Sequence, residues 1–453
     1  MEKTDVLYYH KFLHWCQSTS SKALSCGRGW LGVGAGEYGL RLIRNMILAR
    51  ILAPEAFGQL SLVLTVNTLL EAFTQFGARE AVVQSRNGTE HSYLNVTWWA
   101  GLIRGVGLFG IAFFLAPLIA SFYEDRTLIP LMRVAFLSLV FNSLLSPRTF
   151  TALKNMNYYQ WVMIWHGGGI LGVLLAIGLG FYFQSVWALI IGFTAESAFR
   201  LIISFILCPF LPRLYYEKET LHEFLFYIKG MIGIPLVVVL YSKLDIFVLY
   251  KMVSQEQVGM YFLALSLAQI PQLFYEWAVG PIIFPSISSI QDDNRQIIAL
   301  VYKATKYMII FYIPLLTLMA CTSSQLLAVL YGAEYTAVGI PFIFICTTVV
   351  IYIIGAVLST VFLATGRPDL NRKAAVYRLL LKAILIIPLI QFAGLTGAAL
   401  SGLIAVLVWF WYILYCLKDY IGFPITGYIS ILAKPAAISV SIFTVLYFLL
   451  NYA

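Results

Sequence analysis

The sequence carries few charged residues for its length. Asp, Glu, Lys and Arg make up 11% of its 453 residues, whereas a soluble globular domain carries about a quarter. Because so few charges cannot cover a water-exposed surface, a soluble enzyme is excluded. The chain is 60% hydrophobic and has a mean hydropathy of +0.84. This composition predicts an all-α polytopic membrane protein, since about 20 apolar residues in a helix cross a bilayer.

The sequence also lacks the motifs of ATP-driven pumps and hydrolases. It contains no G-x-x-x-x-G-K-[ST], no G-x-S-x-G and no H-E-x-x-H. Its six cysteines include no C-x-x-C pair and its five histidines are scattered, so no metal site or disulfide is predicted. Gly167-Gly168-Gly169 favours close helix packing over phosphate binding. We therefore expect a carrier that is not an enzyme, needs no cofactor, and is driven by an ion gradient, the membrane potential or consumption of its cargo.

Apolar segments long enough to cross a membrane recur along the whole chain. Thirteen are predicted, at residues 28–53, 56–78, 94–121, 128–147, 155–182, 185–208, 224–251, 257–285, 301–321, 337–364, 374–392, 395–417 and 428–451. The first twelve make two sets of six. The predicted division is a cytoplasmic leader at 1–27, an N-lobe at 28–208, an interlobe linker at 209–223, a C-lobe at 224–417 and an extra C-terminal helix at 418–453.

Basic residues lie mainly on one side of these predicted spans. With the N-terminus in the cytoplasm, 21 of the 30 Lys and Arg residues fall at inward-facing ends and loops, and three at outward-facing ends. Arg378 and Lys382 are counted among the inward-facing set. Because cytoplasmic loops of membrane proteins are enriched in Lys and Arg, this asymmetry predicts a cytoplasmic N-terminus. Topology thus explains the net charge of +9, and no nucleic-acid partner is expected.

An internal repeat supports the division into two sets. LARILAPEAFG at 48–58 aligns with LYKMVSQEQVG at 249–259, at an offset of 201 residues that pairs Gly58 with Gly259. Each copy joins the first two helices of its set. Because each set has an even number of helices, both sets enter the membrane from the same side. The repeat predicts a pseudo-twofold axis along the membrane normal, with the transport path between the lobes.

Several stretches resemble one known family of membrane proteins. They are LARILAPEAFG (48–58), FGAREAVVQ (76–84), VLYGAEYTAV (329–338) and TGRPDLNRKAAVYRLLLKAILIIPLIQFAGLTGAAL (365–400). In this order and spacing they resemble the Wzx-type polysaccharide flippases of the multidrug/oligosaccharidyl-lipid/polysaccharide (MOP) exporter superfamily. The resemblance implies a MATE-like fold. Relatives commonly have twelve or fourteen helices, so a count of thirteen departs from their pattern and leaves the C-terminal side open.

The resemblance also implies a function. It implies a transporter that flips an undecaprenyl-pyrophosphate-linked oligosaccharide from the cytoplasmic to the outer face of the bacterial inner membrane by alternating access. The product would be a polysaccharide such as the O-antigen of lipopolysaccharide, a capsule or an exopolysaccharide. The expected partners are this lipid-linked oligosaccharide, membrane lipids, H⁺ or Na⁺ as coupling ion, and the polysaccharide polymerase or export machinery. The alternatives are a drug or small-cation antiporter of the same superfamily and a membrane polysaccharide polymerase.

Charged residues inside apolar segments are costly and usually face a polar interior. Glu37, Arg41 and Arg44 are spaced by four and three residues, so they share one face of the first helix. We predict that they line a cationic cavity for a pyrophosphate or an acidic sugar, because the planar guanidinium can hold two phosphate oxygens. The alternative is that Glu37 simply neutralises Arg41.

Further charges occur in other predicted spans. Arg104 and Arg133 are lone cations within apolar runs and are candidates for the same cavity, unless they reach the interface by snorkelling. Glu71 is a candidate for binding sugar hydroxyls. Glu196 and Arg200 are four residues apart and are predicted to form a structural ion pair.

Asp245 occupies the repeat position of Arg44, so it is expected to face the cavity if Arg44 does. A carboxylate in a membrane cavity is suited to binding a proton or a sodium ion, because loss of hydration favours its neutralised form. Asp245 is therefore the candidate ion-coupling residue. The alternative is that it pairs with an arginine of the other lobe.

Overall fold

The computed structural model describes residues 34, 36–73, 77–155, 157–213, 217, 220–222, 224, 234–433, 435 and 441. Every regular element in these ranges is helical and none is a strand. The helices used below are α1 (36–49), α2 (Pro54–Phe73), α3 (Ala78–Gln84), α4 (His91–Phe122), α5 (Leu128–Ala135), α6 (Leu137–Ser143), α7 (Arg148–Lys154), α8 (Tyr158–Phe183), α9 (Val186–Leu207), α10 (Ile234–Met252), α11 (Gln255–Ala268), α12 (Ile270–Phe274), α13 (Gly280–Ser288), α14 (Asn294–Cys321), α15 (Ser323–Tyr331), α16 (Gly339–Ala364), α17 (Pro368–Ile421) and α18 (425–433). The predicted leader at 1–27 lies outside the described residues.

Long apolar helices dominate the described ranges. Six are long and apolar enough to cross a membrane, or seven if α5 and α6 are counted with α7, which is bent from them by 57°. The longest, α17, leaves helical geometry at Ala393 and Gly394, between the spans predicted at 374–392 and 395–417. Gly394 has a φ of +54°, which glycine adopts without steric strain. The all-α membrane fold class is confirmed, whereas the count of thirteen spans stays a prediction.

The packing of α4 is that of a helix in lipid. Its exposed face carries large apolar side chains, namely Ile103, Val106, Ile111, Phe114 and Leu118. Its buried face carries small residues, namely Gly101, Gly105, Ala112, Ala116 and Ala120. A Cβ added at Gly101 would lie 2.5 Å from the carbonyl oxygen of Ser143, so glycine is what lets α4 approach the end of α6. Lipid tails are as apolar as leucine, so burial of apolar side chains does not by itself drive helices together in a membrane. Close contact between backbones of this kind holds them together instead.

Residues 36–213, here called the N-terminal half, meet residues 234–433, the C-terminal half, through α2. This helix packs against α10 and α11, and buried apolar side chains of both halves form one continuous cluster. A Cβ at Gly58 would overlap the carbonyl oxygen of Gln255, and a Cβ at Gly259 would overlap that of Pro54. Pro54 and Gln255 are themselves 201 residues apart. The contact is therefore reciprocal, as expected when two copies of a repeat meet across a twofold axis.

Two further contacts between the halves lie beside this crossing, and their basic donors occupy equivalent positions of the repeat. The guanidinium of Arg50 donates to the carbonyl oxygen of Val329 at 2.5 Å, from the N-terminal to the C-terminal half. Lys251, which occupies the repeat position of Arg50, donates from the C-terminal half to the carbonyl oxygen of Phe122 at 2.9 Å. It also forms an ion pair with Glu124 at 2.6 Å. We call these contacts the interhalf clamp, and they join the halves at the ends where α1 leads into α2 and α10 leads into α11.

Candidate functional site

A network of charged side chains joins α1, α8 and α9 within the N-terminal half. Arg41 donates to Glu37 from Nε at 2.9 Å and from Nη2 at 2.7 Å. The same Nη2 lies 2.5 Å from Oε1 of Glu196, which also accepts from Arg200. His166 Nδ1 contacts the second oxygen of Glu37. We call these five residues the polar network.

Three glycines of α8 make room for the polar network. A Cβ at Gly169 would overlap the carboxylate of Glu37, and one at Gly168 would overlap the side chain of Arg200. A Cβ at Gly172 would lie 2.6 Å from that of Glu196. The triple glycine at 167–169 therefore packs α8 closely against its neighbours, as its sequence favours. The side chains packed against these glycines belong to a polar cluster and not to an apolar helix contact.

The carboxylates and guanidiniums of the polar network are equal in number. Two carboxylates, Glu37 and Glu196, are buried with exposures of 4% and 6%. Two guanidiniums, Arg41 and Arg200, neutralise them. Arg41 is therefore held between carboxylates from two helices. This agrees with the alternative in which Glu37 neutralises Arg41, with Glu196 as an additional partner. Arg41 thus provides no surplus positive charge at this position. Burying such ions is tolerated only when each is paired and hydrogen-bonded.

Arg44 lies outside the polar network. Its Nε and Nη2 donate to the side-chain oxygen of Asn45 at 3.1 and 2.9 Å. Among the described residues, no carboxylate lies within ion-pair distance of it. Arg44 thus keeps an unbalanced positive charge, whereas Arg41 does not.

Arg104 and Glu71 line a cavity of about 370 Å³ whose walls come from the N-terminal half, with Val239 of α10 added from the C-terminal half. Nη2 of Arg104 donates to the backbone oxygen of Glu71 at 3.3 Å. Other polar and aromatic lining residues are Thr68, Arg79, Glu80, Asn142, Trp161 and Trp165. The indole of Trp165 connects this cavity to the polar network, because the guanidinium carbon of Arg200 lies 4.8 Å from its ring centre. We call this space the N-half cavity.

Arg133 does not line the N-half cavity. Its guanidinium carbon lies 4.0 Å from the ring centre of Phe113 on α4. A cation over an aromatic face is stabilised by roughly 0.5–2 kcal/mol. The structure thus places this arginine in an aromatic contact, apart from the other predicted cations.

Asp245 pairs with a lysine of its own half. Nζ of Lys382 on α17 lies 3.0 Å from both carboxylate oxygens, and it also donates to the backbone oxygen of Tyr241 at 3.0 Å. The hydroxyl of Tyr261 lies 3.4 Å from the same carboxylate. Asp245 and Lys382 are 5% and 3% exposed. The charged partner in the described structure is therefore a lysine of the same half rather than an arginine of the other half, and ion coupling at Asp245 stays a prediction.

Arg378 and Lys382 are the site residues that charge counting missed. Both were placed at inward-facing ends, but both are buried and line a second cavity, of about 150 Å³, in the C-terminal half. We call it the C-half cavity. Their spacing was the available signal, because cations four residues apart inside the span predicted at 374–392 share one helical face.

Two comparisons with known proteins concern the sequence and the fold. The lipopolysaccharide biosynthesis protein WzxC of Escherichia coli strain K12 is 24% identical over 379 residues, which cover 82% of this chain and 75% of that protein. The lipid II flippase MurJ in an inward closed conformation superposes with a TM-score of 0.76, at 16% identity, over 93% of this chain and 97% of that one.

A third comparison extends the fold likeness. An inward-facing multidrug resistance MATE family transporter of the MOP superfamily gives a TM-score of 0.61 at 15% identity, over 84% of this chain and 95% of that one. The predicted MOP-like fold and the resemblance to Wzx-type proteins are thereby confirmed. The family described as polysaccharide biosynthesis protein matches residues 47–339, which is more than half of the sequence. This multi-pass membrane protein therefore belongs to the polysaccharide biosynthesis protein family.

Proposed function

We propose that the chain flips a lipid-linked oligosaccharide across the bacterial inner membrane for polysaccharide synthesis, by alternating access. The carrier lipid is undecaprenyl pyrophosphate and the N-terminus is cytoplasmic. The main support is the N-half cavity: a polar space with a half-buried arginine, inside a bundle of apolar helices, in a member of a polysaccharide biosynthesis family. Ionisable groups at membrane depth are functional-site candidates by default.

The lining of the N-half cavity matches the chemistry of this cargo. Arg104 offers a planar set of N–H donors for phosphate oxygens. Glu71 and Asn142 suit sugar hydroxyls, because carboxylate and amide oxygens accept hydrogen bonds from them. The indoles of Trp161 and Trp165 offer flat faces for sugar rings. We assign Arg104 as the principal anion-binding residue, with Arg44 as a second cation on the path.

The polar network has a different role in this proposal. Because its charges are already balanced, Arg41 and Glu37 act as positioning residues that fix α1 against α8 and α9. Asp245 remains the candidate coupling residue, but Lys382 competes with any ion for it. A proton or sodium ion therefore reaches Asp245 only in a conformation in which α17 withdraws the ammonium group.

The test is transport by the purified, full-length protein in liposomes. The substrate is an undecaprenyl-pyrophosphate oligosaccharide, and its exposure to an added glycosidase measures flipping. Arg104→Ala is expected to lower the rate at least tenfold, because a charged contact to phosphate is lost. Arg126→Ala is the matched control, since Arg126 is an exposed arginine of the same half and lies outside the N-half cavity.

Two outcomes contradict the proposal. Wild-type protein that moves no lipid-linked sugar under any imposed ion gradient refutes the function. Arg104→Ala and Arg126→Ala with equal rates would refute the assignment of Arg104 while leaving the function intact.

A drug or small-cation antiporter is the second candidate. The likeness to a MATE transporter concerns the fold, and the C-half cavity contains two carboxylates, Asp245 and Glu276. However, Arg378 and Lys382 line the same space and repel a cationic drug. Efflux of a fluorescent cation from cells that express the chain, with Asp245→Asn as the comparison, distinguishes this candidate from the flippase.

A further inference from the structure

Arg378 is a buried cation without a counter-charge among the described residues. Its exposure is 8%, and its Nε and Nη1 atoms have no hydrogen-bond partner. Aromatic rings surround its guanidinium carbon, with ring centres at 4.0 Å for Tyr241, 4.8 Å for Trp409 and 5.3 Å for Tyr352. The side chain lines the C-half cavity. The cation is therefore packed in an aromatic cage and directed towards an open space.

The aromatic cage compensates only part of the burial of this charge. Cation–aromatic contacts contribute roughly 0.5–2 kcal/mol each. They leave two guanidinium nitrogens, Nε and Nη1, without an acceptor, and such groups keep the full penalty of desolvation. Lys382, one turn along the same helix, is different because Asp245 neutralises it. An anion that enters the C-half cavity would satisfy Arg378 without displacing any existing partner.

Glu276 is the other carboxylate that lines the C-half cavity. It accepts a hydrogen bond from Gln272 at 2.9 Å, and no ion pair joins it to Arg378 in the described structure. Apart from the charged residues, the polar lining consists of hydroxyl and amide groups, from Tyr241, Ser242, Tyr261, Gln269, Gln272, Thr348 and Tyr352. Such groups donate to and accept from the hydroxyls of a sugar.

We propose that the C-half cavity binds an anionic oxygen group presented with a sugar, and that Arg378 is its counter-ion. This inference rests on the proposed function and names a second binding site for its cargo. The anionic group has two possible sources, a carboxylate on an acidic sugar of the oligosaccharide or a phosphate of the carrier lipid. The hydroxyl and amide groups around Arg378 favour the acidic sugar.

The two cavities lie on either side of α10. Val239 lines the N-half cavity and its neighbour Val238 lines the C-half cavity, so the cavities share one level along this helix. A cargo with two separated anionic groups can therefore contact Arg104 with one and Arg378 with the other. Selection of cargo by the charge of its sugar follows from this arrangement.

The binding test uses the full chain in detergent and follows its melting temperature. The probes are methyl glucuronide, inorganic pyrophosphate and the neutral methyl glucoside. Arg378→Gln is compared with Arg372→Gln, because Arg372 is an exposed arginine on the same helix. We expect methyl glucuronide to stabilise the wild type and Arg372→Gln, and half-saturation to need at least tenfold more probe in Arg378→Gln.

Each result of the binding test has a defined meaning. An Arg378-dependent response to pyrophosphate alone assigns the anion to the carrier phosphate, and the anion site still stands. Equal responses to glucuronide and glucoside, or responses to both anions that do not change in Arg378→Gln, overturn the proposal. Because Arg378 neutralises no carboxylate, the probe-free Arg378→Gln protein should melt no lower than wild type. A lower melting temperature of the probe-free Arg378→Gln protein, together with an anion response equal to that of wild type, would show a structural role and overturn the site.

A flipping assay separates this inference from the proposed function. Two undecaprenyl-pyrophosphate substrates are compared, one with neutral sugars and one with a uronic acid. We expect Arg378→Gln to lower flipping of the acidic substrate at least tenfold relative to the neutral one. If wild type flips both and Arg378→Gln flips both equally well, the C-half site fails and the flippase stands. If wild type flips neither, the function fails, and the binding test alone decides the site.

Discussion

The membrane interior makes each charged side chain depend on its partner, and Arg41 is the clearest case. It lies between Glu37, one turn away on the same helix, and Glu196, which is 155 residues further along the chain. Removing one partner of a buried ion pair leaves the other charge uncompensated. The same reasoning distinguishes Arg41 from Arg44, three residues away, whose partner is an amide.

Arg41→Ala should therefore destabilise the protein more than Arg44→Ala. We expect a loss of about 3–5 kcal/mol in the free energy of unfolding for Arg41→Ala, because two buried carboxylates lose a shared partner. Arg44→Ala leaves no carboxylate without its partner, so we expect the free energy of unfolding to fall by less than about 1 kcal/mol. Denaturant unfolding in detergent measures both, and equal losses would contradict the network.

The pair of Lys382 and Asp245 predicts an unusual response to sodium. Lys382→Met removes the ammonium and leaves the carboxylate free to bind a cation. We expect the melting temperature of this variant to rise with sodium, relative to choline at equal ionic strength. Wild type and the Lys382→Met/Asp245→Asn double variant should not respond. A sodium response in wild type that is lost in Asp245→Asn would show instead that the ion displaces Lys382.

At the residue scale, local pairs were predictable and distant ones were not. Glu196 and Arg200 are four apart, so helical periodicity alone brings them together. The contact of Arg41 with Glu196 depends on how α1 packs against α9, which no local pattern encodes. Charge counting places Arg378 and Lys382 among the inward-facing ends, because it treats a basic residue near a helix end as a loop residue.

At the scale of single helices, the position of glycines determines which helix faces pack closely, whereas overall hydrophobicity does not. The buried face of α4 and the α8 glycines beside the polar network are both places where a methyl group does not fit. The span boundaries followed from hydropathy, because helix length must match the bilayer. Hydropathy did not predict the bend between α6 and α7, because α5, α6 and α7 together have the composition of one apolar span.

The crossing of α2 with α11 gives a prediction at this scale. Gly58→Ala and Gly259→Ala each place a methyl group against a backbone carbonyl of the other half, which cannot rotate away. We expect each to lower the free energy of unfolding by about 1–3 kcal/mol. Gly107→Ala and Gly178→Ala are the controls, because their Cβ positions meet nothing within 4 Å. Controls that lose as much stability as the two crossing variants would contradict the close contact.

Over the whole molecule, the two halves meet at the glycine crossing, where both partners repeat with the sequence offset, and at the interhalf clamp, where the basic donors do. The pseudo-twofold axis was inferred from eleven aligned residues, and the structure adds the reciprocal glycine contact and the interhalf clamp. Sequence reasoning could find the repeat because both copies occupy the same topological position. It could not find the two cavities, because their walls come from helices far apart in the chain.

Cross-linking tests the interhalf clamp. In a background without native cysteines, Glu124→Cys and Lys251→Cys are joined by a short bifunctional maleimide, because these residues form an ion pair between the halves. We expect flipping to stop, since alternating access requires the halves to separate at this end. Gln59→Cys with Thr127→Cys is the matched control, because that pair is hydrogen-bonded within one half. Continued flipping by the fully cross-linked Glu124–Lys251 pair would contradict a moving clamp.

The reciprocal glycine contact also constrains how the chain is made. Gly58 leaves the ribosome 201 residues before Gly259, which corresponds to about 10–40 s at typical rates of synthesis. During that interval the face of α2 that will meet α11 borders lipid. The hydroxyls of Ser61 and Thr68 donate to carbonyl oxygens of α2 itself, both at 2.7 Å. Their hydrogen bonds therefore do not depend on the second half of the chain. The first half can therefore persist in the bilayer as a finished unit, and the late step of biogenesis is the docking of two bundles already inserted.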